Sequence, residues 1–137
     1  MVNGTTGESP TTHMEEKVEL VQAVKDVVSV PVISGAGSND TAHTVRMVEQ
    51  TQEAGADAVL VVAPYYSRPS QEGVFRHYKA VNDSADKRLS FTMCLAAPVC
   101  TFSWKPTVVW LSLVTSRAVK DATGDIAGAC VSVWKPI

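Results

Sequence analysis

Three groups of residues carry side chains suited to chemistry on a carbonyl compound. Lys120 stands in "AVKDATGD", where an apolar lead-in places it at the end of a short strand. Facing a barrel interior, its ammonium loses hydration, its pKa falls, and the neutral amine can attack a carbonyl carbon. A solvated lysine beside Asp121 is the commoner fate of such a residue. Thr5 and Thr6, in "NGTTGESP", put two hydroxyls on a glycine-flanked turn entering a helix, a natural cradle for a carboxylate or phosphate. A plain capping turn with Ser9 or Thr11 as N-cap accounts for the same residues. Tyr65 and Tyr66, in "APYYSRPSQEG", offer phenols that relay protons or bind a ligand; alternatively one ring packs in the core and the other at an interface.

Other groupings fail as sites. "GTTGES" lacks the glycine spacing and the Lys-Ser/Thr of a phosphate loop, and "SGAGSN" lacks the third glycine and acidic residue of a dinucleotide fingerprint. His13, His43 and His77 fall on predicted helices without ligand spacing and read as surface residues. Cys94, Cys100 and Cys130 form no metal-ligand pattern, so neither a metal nor a structural zinc site is expected. A formal net charge of −2 without a basic run gives no reason to expect nucleic acid or an anionic membrane. No apolar leader of signal-peptide kind is present, so a cytoplasmic location is the default expectation. With 137 residues, 45% hydrophobic and 19% charged, one globular domain is expected.

The elements that must position these groups alternate. "PTTHMEEKVELVQAVKDVV" has Thr11 or Thr12 as N-cap, acidic Glu15 and Glu16 in the first turn, and Val18, Val21, Val24 and Val28 on one helix face. "VPVISGAG" is a short apolar strand, and "NDTAHTVRMVEQTQEAG" a helix capped by Asn39 or Asp40 and closed by Gly55. "ADAVLVVAP" is a second apolar strand. "SQEGVFRHYKAVNDSA" is a third helix, with Val74, Phe75, Tyr78 and Val81 on one side. Apolar strands alternating with amphipathic helices predict an α/β fold with a parallel sheet, open or closed as a barrel. In both architectures chemistry belongs at the C-terminal ends of the strands, where the three groups fall.

In order and separation, "GTTGESPT", "PVISGAGSN", "GADAVLVVAPYYSRPSQEG" and "VKDATGD" resemble the 4-hydroxy-tetrahydrodipicolinate synthase (dihydrodipicolinate synthase) family over residues 2–88 and 118–128. The tyrosine pair with its following Ser-Arg-Pro-Ser-Gln-Glu-Gly sets the chain apart from the N-acetylneuraminate lyases and 2-keto-3-deoxy sugar acid aldolases, the nearest alternatives. A non-catalytic interaction remnant is the alternative of another class. The resemblance implies a partial (β/α)8 TIM barrel and a class I aldolase-type lyase. That enzyme condenses pyruvate with aspartate semialdehyde on the diaminopimelate route to lysine, without metal or organic cofactor. It implies Lys120 as the Schiff-base lysine, Thr5 and Thr6 as the pair holding the pyruvate carboxylate, and Thr6 as a proton relay. Tyr66 would complete that relay in a neighbouring subunit of a homotetramer built from dimers. Ser9, Asn39, His43 and Tyr65 fall at positions of the family's feedback site for lysine. Met14 and Lys17 stand where lysine-inhibited members often carry histidines, and His43 where they carry a glutamate, which implies weak lysine inhibition.

One stretch departs from this pattern. "LSFTMCLAAPVCTFSWKPTVVWLSLVTS" has Lys105 as its only formal charge, and all three cysteines and all three tryptophans follow Arg88. Lys105-Pro106 divides it, and neither half reaches the ~20 apolar residues of a membrane helix. The resemblance implies here a strand ending in tyrosine and a Tyr-Asp/Asn-Val-Pro-Gly/Ser-Arg loop, which supply the family's main proton-shuttling tyrosine and an entrance arginine, and neither is present. Yet "SFTMCLAAP" can be back-translated so that a displaced frame reads Val-Tyr-Asp-Val-Pro-Gly-Arg-Ser. The expectation is a single incomplete barrel domain over 1–137. It begins at the family's second strand end, has anomalous segments at 89–117 and 129–137, and has little or no activity as written.

Overall fold

The computed structural model describes residues 1–85, 88–94 and 116–122, with side chains described for 1–85 and for Lys120. Two short 3-10 turns, Thr5–Gly7 and Ser9–Thr11, precede α1 (Met14–Val27), β1 (Ile33–Gly35), α2 (Thr41–Glu53), β2 (Ala58–Val62), α3 (Gln71–Ser84), β3 (Arg88–Cys94) and β4 (Ser116–Ala122). The sheet order is β1-β2-β3-β4 and every pairing is parallel, as predicted for strands joined through helices. Val2 extends the sheet beyond β1: its N–H donates to Ile33 O at 2.8 Å, and its carbonyl accepts from Gly35 N at 3.0 Å.

Two of the three helix starts follow the sequence reading. At α2 the cap is Asp40, whose Oδ1 accepts the His43 N–H at 2.6 Å. Ser70 caps α3, accepting the Gly73 N–H at 3.1 Å. Helix α1 begins later than expected, with His13 as N-cap. The His13 N–H donates to Glu16 Oε2 at 2.6 Å. Thr11 and Thr12 do not cap it, because their hydroxyls donate backwards to Glu8 O and Ser9 O at 2.8 and 2.9 Å. Gly55 closes α2 at a positive φ of 104°.

The core lies between the sheet and the helices. Val59 and Val61 of β2 are fully buried against Val48, Val74, Tyr78 and Val81. Ala58, Leu60 and Val62, on the opposite face, are only half-buried, so the strand that reads as apolar throughout has one fully covered face. Gly35 and Gly37 are packing residues. A Cβ on Gly35 would lie 2.1 Å from Asn3 O, and one on Gly37 2.5 Å from Val62 N.

His77 is a correction. It was expected at the surface but is 3% exposed, because it shares the helix stripe of Val74, Tyr78 and Val81. Strand β3 occupies the first part of the charge-poor stretch. Its partners include Phe91 with Val119, Thr92 with Lys120 and Cys94 with Ala122. Residues 95–115 of that stretch, with Cys100, Trp104 and Trp110, lie outside the described residues, as do Cys130, Trp134 and the segment 129–137.

Candidate functional site

All strands run in one direction, so their following segments gather at one end of the sheet. Thr5 and Thr6 follow Val2, Asn39 follows β1, Tyr65 and Tyr66 follow β2, and Lys120 lies two residues before the end of β4. The threonine turn and Lys120 nevertheless sit at opposite margins. From the Val2 segment to β4 there are four interstrand steps of about 4.8 Å, or roughly 19 Å along the sheet. They face one another only through curvature of the kind that closes a barrel. Among the described residues, no hydrogen bond joins the side chains of Thr5, Thr6, Tyr65, Tyr66 and Lys120.

The threonine turn does not open an α-helix, contrary to the sequence expectation. Thr5 and Thr6 lie in a 3-10 turn closed by Gly7 N to Gly4 O at 2.9 Å and Glu8 N to Thr5 O at 3.1 Å. These bonds leave the Thr5 and Thr6 N–H groups outside the turn's own bonding, beside two exposed hydroxyls. Donors of this kind suit a carboxylate without help from a long helix dipole.

Neither tyrosine enters the core. Tyr65 is 47% and Tyr66 88% exposed. Ser67 N donates to Tyr65 O at 2.8 Å, so Tyr66 is the apex of a γ-turn, with φ 69°, and Arg68 also has positive φ, 48°. A bulky residue held in this region carries strain, which surrounding structure must support. Its phenol is presented outward, away from its own chain.

Lys120 is exposed and lies on β4 in register with Thr92. The covered interior position expected from the sequence is therefore not present among the described residues. Of the other positions, Asn39 and His43 are exposed near the start of α2, while Ser9 is half-buried. Helices α1 and α2 wall a cleft of about 410 Å³ lined partly by Met14, Val18 and Ala54, and no residue of the candidate site borders it.

Two titratable groups, Lys17 and His77, are buried where the sequence reading did not expect it. Lys17 is 5% exposed, and its pKa lies below the ordinary lysine value because burial strips water from the ammonium. Its Nζ donates to Ser9 O and Thr12 O, both at 2.6 Å, and to Thr12 Oγ1. Burial also lowers the pKa of His77 to about 4, against a weaker opposing pull from Asp40. Its Nδ1 lies 2.9 Å from Thr41 Oγ1, while its buried Nε2 has no hydrogen-bond partner among the described residues. The signal for both was spacing: Lys17 lies four residues before Val21, and His77 lies between Val74 and Tyr78.

A parallel sheet alternating with helices, with a lysine near one strand end and hydroxyl-bearing turns after others, defines part of a lysine-bearing α/β barrel. Residues 1–128 match the dihydrodipicolinate synthetase family. The 4-hydroxy-tetrahydrodipicolinate synthase of Bifidobacterium animalis subsp. lactis is 70% identical over 129 residues, covering 94% of this chain and 43% of that protein. The crystal structure of a dihydrodipicolinate synthase from Bacillus anthracis superposes with a TM-score of 0.92 at 40% identity, over 96% of this chain and 46% of that one. A chloride-inhibited dihydrodipicolinate synthase from Acinetobacter baumannii, solved with pyruvate, gives 0.91 at 32% identity, over 96% and 46%. The chain belongs to the dihydrodipicolinate synthetase family, and it spans less than half the length of these relatives.

Proposed function

We propose that this chain represents part of a lyase that condenses pyruvate with aspartate semialdehyde through a Schiff base on Lys120. The observation that carries the reading is the placement of Lys120 near the C-terminal end of a parallel strand, in a chain whose relatives include a synthase solved with pyruvate. The Lys120 amine adds to the keto carbon, water leaves, and the protonated imine acidifies the adjacent methyl group. The resulting enamine adds to the aldehyde carbon of the second substrate. Thr5 and Thr6 hold the pyruvate carboxylate on their turn. Thr6 and Tyr66 relay protons, Tyr66 serving a neighbouring subunit of a cytoplasmic homotetramer, as its 88% exposure suits.

In this reading 1–137 is one incomplete barrel domain, and 89–117 and 129–137 are read out of the family's frame. The register of β3 supports that. The displaced tyrosine codon shares two of its three nucleotides with the codon of Thr92, and Thr92 is the partner of Lys120. The chain therefore keeps the nucleophile and lacks the shuttling tyrosine beside it, and its turnover is weak or absent.

Borohydride reduction with pyruvate tests the retained half of the site. A reduced adduct on the peptide containing Lys120 supports the reading. A folded sample without adduct overturns it.

A further inference from the structure

The segment carrying Thr5 and Thr6 is exposed throughout its first turn, and that turn buries no residue. Something other than core packing must hold its shape. Both of its ends meet at Lys17. Before the threonines, Asn3 is buried with φ 54°, and its Nδ2 donates to Lys17 O at 3.2 Å and to Ser34 Oγ at 3.1 Å. After them, the Lys17 ammonium reaches back eight residues to Ser9 O and five to Thr12 O and Oγ1. The Ser9 N–H donates in turn to Gly4 O at 3.4 Å, so the loop from 4 to 9 is closed on itself and clasped from outside.

The chemistry of the clasp is specific to an ammonium. Lys17 has three N–H donors and meets three neutral oxygen acceptors, and none of the described ion pairs includes it. A buried charge satisfied only by backbone carbonyls and one hydroxyl fixes those carbonyls in a convergent arrangement, because releasing any one leaves a donor unpaired away from water. The same residue, through its main-chain carbonyl, fixes Asn3 at the foot of the turn.

We propose that Lys17 is the positioning residue of the Thr5/Thr6 turn, holding both ends of it in the conformation that receives a carboxylate. The carboxylate role rests on the function proposed above; the clasp does not. The test uses the full chain and two readouts. Without ligand, Lys17→Met keeps the aliphatic stem and removes the ammonium. Amide exchange at Gly7, Glu8 and Ser9 should accelerate on the order of tenfold, given the strength of hydrogen bonds to charged donors, while amides of α2 and α3 keep their rates. Unchanged exchange in a folded Lys17→Met chain overturns the proposal. Should that variant fail to fold, Thr12→Val removes one of the ammonium's three acceptors, together with the hydroxyl's own bond to Ser9 O, and should accelerate the same amides several-fold. Thr12→Ser should restore them, and unchanged rates in Thr12→Val are equally fatal. With pyruvate and borohydride, Lys17→Met should raise the pyruvate concentration giving half-maximal adduct and leave the rate at saturation unchanged. A lower saturating rate at the same half-maximal concentration contradicts a positioning role. A parent chain that forms no adduct sinks the functional reading and leaves the exchange result standing.

Discussion

His77 makes the acid stability of this chain calculable. The ring is 3% exposed, and burial lowers its pKa from 6.5 to about 4 despite the opposing influence of Asp40. The folded state therefore holds the neutral ring, whereas the unfolded chain takes up a proton as the pH falls below 6.5. Stability contributed by the neutral ring is complete above about pH 6.5, declines as the pH drops, and is gone below about pH 4. At about 1.4 kcal/mol per pH unit, the interval from 6.5 to about 4 amounts to roughly 3 kcal/mol. Carboxyl groups in general change charge near the lower end of this range, so the measurement is a difference between two proteins. His77→Leu removes the titration along with the contact to Thr41 Oγ1, a net loss of about 1 kcal/mol at neutral pH. Urea unfolding from pH 7.5 to pH 4 should show the parent more stable at the upper end and the variant more stable at the lower, with the curves crossing between. Parallel curves across the range would show that the ring does not titrate as its burial requires, and the reasoning would fail.

Two further outcomes follow from the same structure. Gly37→Ala places a Cβ 2.5 Å from Val62 N, a backbone atom of β2 that cannot yield cheaply, so urea unfolding should show a loss of about 1–3 kcal/mol; an unchanged midpoint refutes the close approach. If Ser9, Asn39, His43 and Tyr65 form a feedback site, as the family resemblance implies, free lysine should bind weakly, since Lys17 already commits its ammonium to Ser9 and Thr12 and His43 brings an imidazole in place of the family's glutamate; a titration of L-lysine that shows tight, saturable heat sinks this reading.

The elements were legible because their signals are local. Asp40, Ser70 and Gly55 mark helix ends through hydrogen bonds or φ values belonging to single residues. Misreadings arose where tertiary contacts choose among equivalent residues. Thr11 and Thr12 could each have capped α1, but their hydroxyls were drawn to Glu8 and Ser9 by the turn before it. The glycines of "SGAGSN", which the sequence already excludes as a dinucleotide fingerprint, serve packing that no local signal reveals: Asn3 and Val62 crowd two of them. At the site, sequence order brought Thr5, Thr6, Tyr65, Tyr66 and Lys120 to one end of the sheet. It could not show that the threonine turn is held by Lys17, because that contact pairs a polar residue of α1 with carbonyls no residue type reveals.

Fold and chemistry respond differently to a displaced frame. "RLSFTMC" alternates Leu89, Phe91 and Met93 with small polar residues, and that pattern suffices for β3 to pair with both neighbours through backbone hydrogen bonds. Many sequences meet that requirement, so in the proposed reading of 89–117 as out of frame a strand still forms there. A proton shuttle requires one side chain at one register position, and the row of Lys120 holds Thr92. Replacing residues 91–98 with Val-Tyr-Asp-Val-Pro-Gly-Arg-Ser should therefore leave the sheet in place and restore proton transfer to bound pyruvate. Exchange of the pyruvate methyl protons for deuterium, followed by proton NMR in heavy water, should accelerate by about 10²–10⁴, the usual contribution of a positioned acid-base group. A folded replacement whose exchange matches that of the parent would show that the tyrosine is not the missing part, and that the deficit lies elsewhere in the barrel.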